Sequence, residues 1–112
     1  MHELSLAENA VALIEDAARR EGFTRARVIR LEVGALSCVD PQALRFALES
    51  ATRGSCAEGA RIEILDQPGA GECPACGRRC TMETLYELCQ DCGSPLEARQ
   101  GTAMRIKDLE VE

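Results

Sequence analysis

Apolar side chains recur at helical intervals through residues 4–20. Leu6, Ala10, Leu13 and Ala17 form one line and Ala7, Val11, Ile14 and Ala18 its neighbour, with Glu8, Glu15, Arg19 and Arg20 largely outside the stripe. This predicts an amphipathic helix; Arg19 and Arg20 suit its negative C-terminal end, and Gly22 supplies the stop. The period then changes to two. Ile29, Leu31 and Val33 alternate with Val28, Arg30 and Glu32 up to Gly34, which predicts a strand with one buried face. Val39-Asp40-Pro41 reads as a second helix start: Asp40 can accept the orphan N–H groups, Pro41 fits the first helical position and Val39 can pack on Leu44. Ala43, Leu44, Ala47, Leu48 and Ala51 carry the apolar face on to about Thr52, before Gly54. Alternation returns at residues 60–66 through Ile62 and Ile64. In the tail it runs through Met104 and Ile106, then Leu109 and Val111 one residue out of phase, a mismatch that a bulge near Asp108 would reconcile.

Residues 69–100 interrupt this pattern with Gly, Cys, Pro and charge, and hold too little apolar periodicity for a core of their own. The strands on either side can still join the first strand in one three-stranded sheet with both helices on one face. The expected fold class is α+β, with an inserted Zn(Cys)4 lobe of zinc-ribbon type. The expected domains are residues 1–68 with 101–112, and the lobe at 69–100.

Composition narrows the function. With 46% hydrophobic and 29% charged residues the chain reads as a folded globular protein rather than a disordered one. Thirteen basic against nineteen acidic residues give a net charge of −6, the wrong sign for phosphate, and Phe23, Phe46 and Tyr86 are too few to stack bases. Nucleic acid is therefore not the expected partner. No window reaches the roughly 18 apolar residues of a membrane span, and the acidic start lacks a signal peptide's basic end, so the expected location is the cytoplasm. Nothing pairs a histidine with a nucleophile or builds a phosphate loop, and the expectation is a protein that is not an enzyme.

Seven cysteines, an odd count in a reducing compartment, point to thiolates holding metal. Cys73-Pro-Ala-Cys76-Gly and Cys89-Gln-Asp-Cys92-Gly are matched knuckles with twelve residues between them. Two residues between thiolates let each pair bite one side of a tetrahedral ion, and Gly77 and Gly93 permit the turn that aims N–H groups at sulfur. The expected occupant is structural Zn(II), which would replace the missing core of so short a segment. Cys38, Cys56 and Cys80 lack ligand spacing and read as small, partly buried thiols.

His2 is the only histidine. The Met1 amine, the His2 and Glu3 amide nitrogens and the His2 imidazole would make a planar nitrogen set suited to Ni(II) or Cu(II). Glu3 and Asp40 could add outer oxygens, but each has a rival task, Glu3 at the helix dipole and Asp40 as a cap.

MHELSLAENAV, RLEVGALSCVDPQALRFAL, CPACG with CQDCG, and RIKDLEVE, in this order, resemble the HypA/HybF family of hydrogenase nickel-insertion proteins over essentially the whole chain. The resemblance implies a nickel metallochaperone. Met1, His2 and Glu3 would bind Ni(II) as transient cargo, with His2 the principal ligand. Cys73, Cys76, Cys89 and Cys92 would hold structural zinc. The implied partners are the maturation GTPase HypB and the large subunit of [NiFe]-hydrogenase. Some members carry further histidines near the zinc lobe; here no histidine follows position 2, so nickel cannot travel through a second one. The open sheet face leaves a homodimer among the expected states, and the alternative function is a zinc-ribbon docking module that delivers no metal itself.

Overall fold

The computed structural model describes residues 2–112, with side chains from residue 3 onward. The chain runs α1 (His2–Glu21), β1 (Ala26–Gly34), α2 (Pro41–Ala51), β2 (Arg61–Gln67), β3 (Gly69–Glu72), β4 (Arg79–Met82), β5 (Glu97–Gln100) and β6 (Met104–Val111). Two three-stranded sheets form, in the orders β2-β1-β6 and β4-β3-β5. The fold class is α+β, as the change of hydrophobic period implies.

The chain divides into two compact units. The first takes the residues up to Leu31, then Val39–Leu65 and Arg105–Glu112; the second takes Glu32–Cys38 and Asp66–Met104. In the first, Ile14 of α1, Leu44 and Leu48 of α2, and Ile29 and Leu31 of β1 are the largest fully buried side chains. These positions belong to the apolar stripes of both helices and to one face of the strand, so burial of about 1.5–3 kcal/mol per side chain drives the three elements to fold together. α1 begins at His2 and ends with the Gly22 N–H on the Ala18 carbonyl at 2.9 Å, Gly22 lying at φ 79°. Asp40 caps α2 in an extended conformation and Pro41 sits in the first turn. Thr52, buried at the other end, gives its hydroxyl to the Leu48 carbonyl at 2.8 Å. On the opposite face of β1, Arg30 reaches Glu63 of β2 and both Asp108 and Glu110 of β6. Asp108 and Glu110 therefore share a face, and the half-buried positions of β6 change phase between Ile106 and Leu109, where the sequence pattern also goes out of phase.

In the second unit β3 is the central strand, antiparallel to both neighbours, with Gly71 opposite Cys80 and Ala98. A methyl at Gly69 would overlap the Met82 carbonyl, and one at Gly71 the Met82 sulfur, so the glycines let the strands close over a small core. That core is Leu36, Cys73, Met82, Cys89 and Leu96, with Cys80 and Ala98 against it. Leu36 comes from the stretch after β1, and its N–H donates to the Gly101 carbonyl at 2.8 Å.

Candidate metal centres

Two matching loops build the cysteine cluster. The Cys73 N–H donates to the Arg78 carbonyl and the Gly77 N–H to the Cys73 carbonyl; Cys89 N–H to Ser94 and Gly93 N–H to Cys89 repeat the pattern, all four at 2.8 Å. Gly77 and Gly93 lie at φ 80° and 79° with open space where a Cβ would point, so backbone handedness alone demands glycine there. The first cysteine of each loop, Cys73 or Cys89, is buried in the core, and the second, Cys76 or Cys92, is exposed. Arg78 joins the loops through an ion pair to Asp91 at 2.8 Å.

All four sulfurs lie within 4.8 Å of one another, with Cys73–Cys92 at 3.5 Å and Cys76–Cys89 at 3.7 Å. A zinc–sulfur bond of about 2.3 Å in a tetrahedron separates its sulfurs by about 3.8 Å, so the set has the size zinc requires. The electrostatics agree. Hydrogen bonds from the Ser94 side chain and backbone, then from Cys73, draw the Cys92 thiol down to about 6, and the N–H groups of Cys92 and Asp91 lower Cys89. The Arg78 N–H pulls Cys76 the same way, but the Cys73, Cys89 and Cys92 sulfurs outweigh it and push Cys76 up to about 12. Four sulfurs this close cannot all ionise unaided, and a divalent cation removes that conflict. With four thiolates the site is closed, which fits structural zinc and leaves no position for a substrate.

At the other candidate site α1 begins at His2, ahead of the apolar stripe that starts at residue 4. Met1 and the His2 side chain lie outside the described residues, so the expected ligand set is seen only in part. The peptide N–H groups of His2 and Glu3 belong to the first turn, where no carbonyl four residues back exists to receive them, so a metal taking those nitrogens would break no backbone–backbone bond of the helix, although it would release the Glu3 N–H from its own carboxylate. A planar chelate needs ψ near zero against about −42° in a helix, so the turn must flatten to close on a metal. The Glu3 carboxylate accepts the Asp40 N–H at 3.1 Å, while Asp40 Oδ1 accepts from Gln42 at 2.9 Å and Ala43 at 3.4 Å. The Asp40 N–H, followed by Glu3's own, holds the Glu3 carboxyl down at about 2. The two secondary candidates are thus brought together, and both are in structural use.

The remaining cysteines do not converge. Cys56 and Cys80 are half-buried as expected, whereas Cys38 is exposed at φ 60°. The Cys56 N–H donates to Glu15 at 3.3 Å, and burial followed by Glu15 pushes its thiol up. Two structural residues escaped the sequence reading. Leu36 gave no signal, being one leucine in a turn. Glu87 did: Thr84-Leu-Tyr-Glu87 has the spacing of a capping box, and Glu87 accepts the N–H groups of Glu83 and Thr84, the latter at 2.8 Å.

Comparison with known proteins agrees with this architecture. Residues 1–111 match the family described as "Hydrogenase/urease nickel incorporation, metallochaperone, hypA". The hydrogenase maturation factor HypA of Dechloromonas aromatica is 47% identical over 113 residues, and that of Azotobacter vinelandii 45%, each alignment covering 100% of both chains. Among solved structures, the "Solution structure of HypA protein" superposes with a TM-score of 0.76 at 28% identity, covering 100% of this chain and 97% of that one. The "Solution structure of the Ni metallochaperone HypA from Helicobacter pylori" also reaches 0.76, at 25% identity over 97% of this chain and 96% of that one.

Proposed function

Because the chain belongs to the HypA family of nickel-incorporation metallochaperones, we propose that it binds Ni(II) reversibly through Met1, His2 and Glu3 and delivers it to the large subunit of [NiFe]-hydrogenase. The family is one of maturation factors rather than enzymes, and nickel is its cargo. In this reading the Met1 amine, the His2 and Glu3 amide nitrogens and the His2 imidazole surround the metal. Asp40 Oδ1 stays with the α2 cap, which leaves its second carboxylate oxygen as the candidate outer ligand. Cys73, Cys76, Cys89 and Cys92 hold zinc, which supplies shape and no chemistry on nickel.

The supporting observation is the placement of the His2 and Glu3 amides at the start of α1, with Glu3 tied to Asp40. Nickel held there is exposed to competing ligands. Delivery is ligand exchange: thiolates of the acceptor replace the nitrogens, the metal stays Ni(II), and two protons return to the amides. The GTPase HypB is the expected partner in that step, and the cytoplasm its place. No helix among the described residues is long and apolar enough to cross a membrane.

Nickel titration of zinc-loaded, untagged protein tests the reading, with wild type beside His2→Ala and beside a chain extended ahead of Met1. A single nickel site in wild type, lost in both variants at constant zinc, is the expected result. Equal nickel binding by all three, or nickel entering only as zinc leaves, would overturn it.

A further inference from the structure

Every exposed large apolar side chain of the second unit falls in one short turn: Leu85 is 40% exposed, Tyr86 92% and Leu88 60%. Scattered single apolar side chains are ordinary on a surface, whereas three within four positions are not. The unit does not need them for its core, which is closed by Leu36, Met82, Leu96 and the two buried cysteines. Nor is the turn a loose tip. The Glu87 carboxylate accepts the N–H groups of Glu83 and Thr84, the Leu96 N–H donates to the Glu87 carbonyl at 3.1 Å, and Leu88 bridges to Pro95. Tyr86 is therefore presented on an ordered support, which lowers the entropy cost of burying it in a partner.

Charge selects the kind of partner. From Met82 to Cys92 the chain holds Glu83, Glu87 and Asp91 and no basic residue; the nearest on either side, Arg79 and Arg99, are paired with Glu72 and Glu97, and Arg78 is paired with Asp91. A second copy would set the same carboxylates against these, and an anionic lipid surface or nucleic acid would be repelled. What fits is a protein pocket with an apolar floor and a rim of Lys or Arg. We propose that the turn Glu83–Leu88 docks into such a pocket on the protein that accepts the nickel, with Tyr86 as the anchor. This rests on the delivery reading and adds to it the element that holds donor and acceptor together during exchange.

The test uses the full zinc-loaded chain and the purified, nickel-free hydrogenase large-subunit precursor, with Kd measured for wild type, Tyr86→Ser, Tyr86→Phe, Glu83→Lys and His2→Ala. An anchoring aromatic truncated to serine should weaken binding by about 30-fold, with zinc content and nickel binding unchanged. Tyr86→Phe should bind as wild type, Glu83→Lys should slow association, and wild-type affinity should fall as salt rises. His2→Ala should lose nickel yet still dock, which separates failure of the nickel site from failure of the turn. If Tyr86→Ser docks like wild type, or if wild type does not bind the precursor at all, the proposal is overturned.

Discussion

The carboxylate of Glu3 accepts the N–H of Asp40 at 3.1 Å, tying the first turn of α1 to the residue that caps α2. Asp40 thus works with two groups at once, its N–H toward Glu3 and its Oδ1 toward the first turn of its own helix. These separate tasks can be separated by substitution.

Asp40→Ala should cost about 1 kcal/mol in urea denaturation through loss of the cap, whereas Asp40→Asn should cost little, because asparagine caps equally well. If the second Asp40 oxygen supports nickel, Asp40→Asn should weaken nickel binding by about tenfold while stability holds. Unchanged nickel affinity in that variant would limit Asp40 to capping.

Cys92→Ser should lose zinc and the ordered β3–β5 sheet while α1 and α2 persist, since the small core around Leu36 and Met82 is too slight to hold the unit alone. Bound zinc and helical circular dichroism, measured on the same sample, check this. In wild type zinc should be released as pH falls, because protons compete for the thiolates the ion needs.

Arg30 sits 25% exposed among Glu63, Asp108 and Glu110, whose carboxylates hold its guanidinium charged and raise its pKa. Arg30→Met would leave three carboxylates facing one another across the sheet and should destabilise the fold by about 1–3 kcal/mol. Adding Glu110→Gln should recover part of that loss. Chemical denaturation of both variants gives the answer, and no recovery would mean that lost packing, rather than charge, sets the cost.

Glu15 reports on pH. Hydrogen bonds from Cys56, side chain then backbone, lower its carboxyl from the ordinary 4.5. A group depressed in the folded state adds stability above its unfolded value and loses it as pH falls through the folded one. Thermal stability should therefore drop below pH 4.5, and Glu15→Gln should flatten part of that drop. An unchanged slope would show that Glu15 contributes nothing to it.

Local pattern carried most of this molecule. The stripes of α1 and α2, the alternation of β1, the Asp40-Pro41 start and the paired cysteine knuckles were all legible, because each depends on neighbours a few positions away. So was the chemistry of the cysteine cluster, since Cys-x-x-Cys-Gly sets its own loop geometry. The strands β3, β4 and β5 were not legible. They are four residues each, glycine-rich or charged, and they exist because the backbones at Gly69 and Gly71 can approach Met82 closely and because Leu36 arrives from a distant stretch. The link from Glu3 to Asp40 and the convergence of Glu63, Asp108 and Glu110 on Arg30 join residues far apart in the chain. No periodicity encodes such pairs, because their partners are selected only when the packed core brings separate elements side by side.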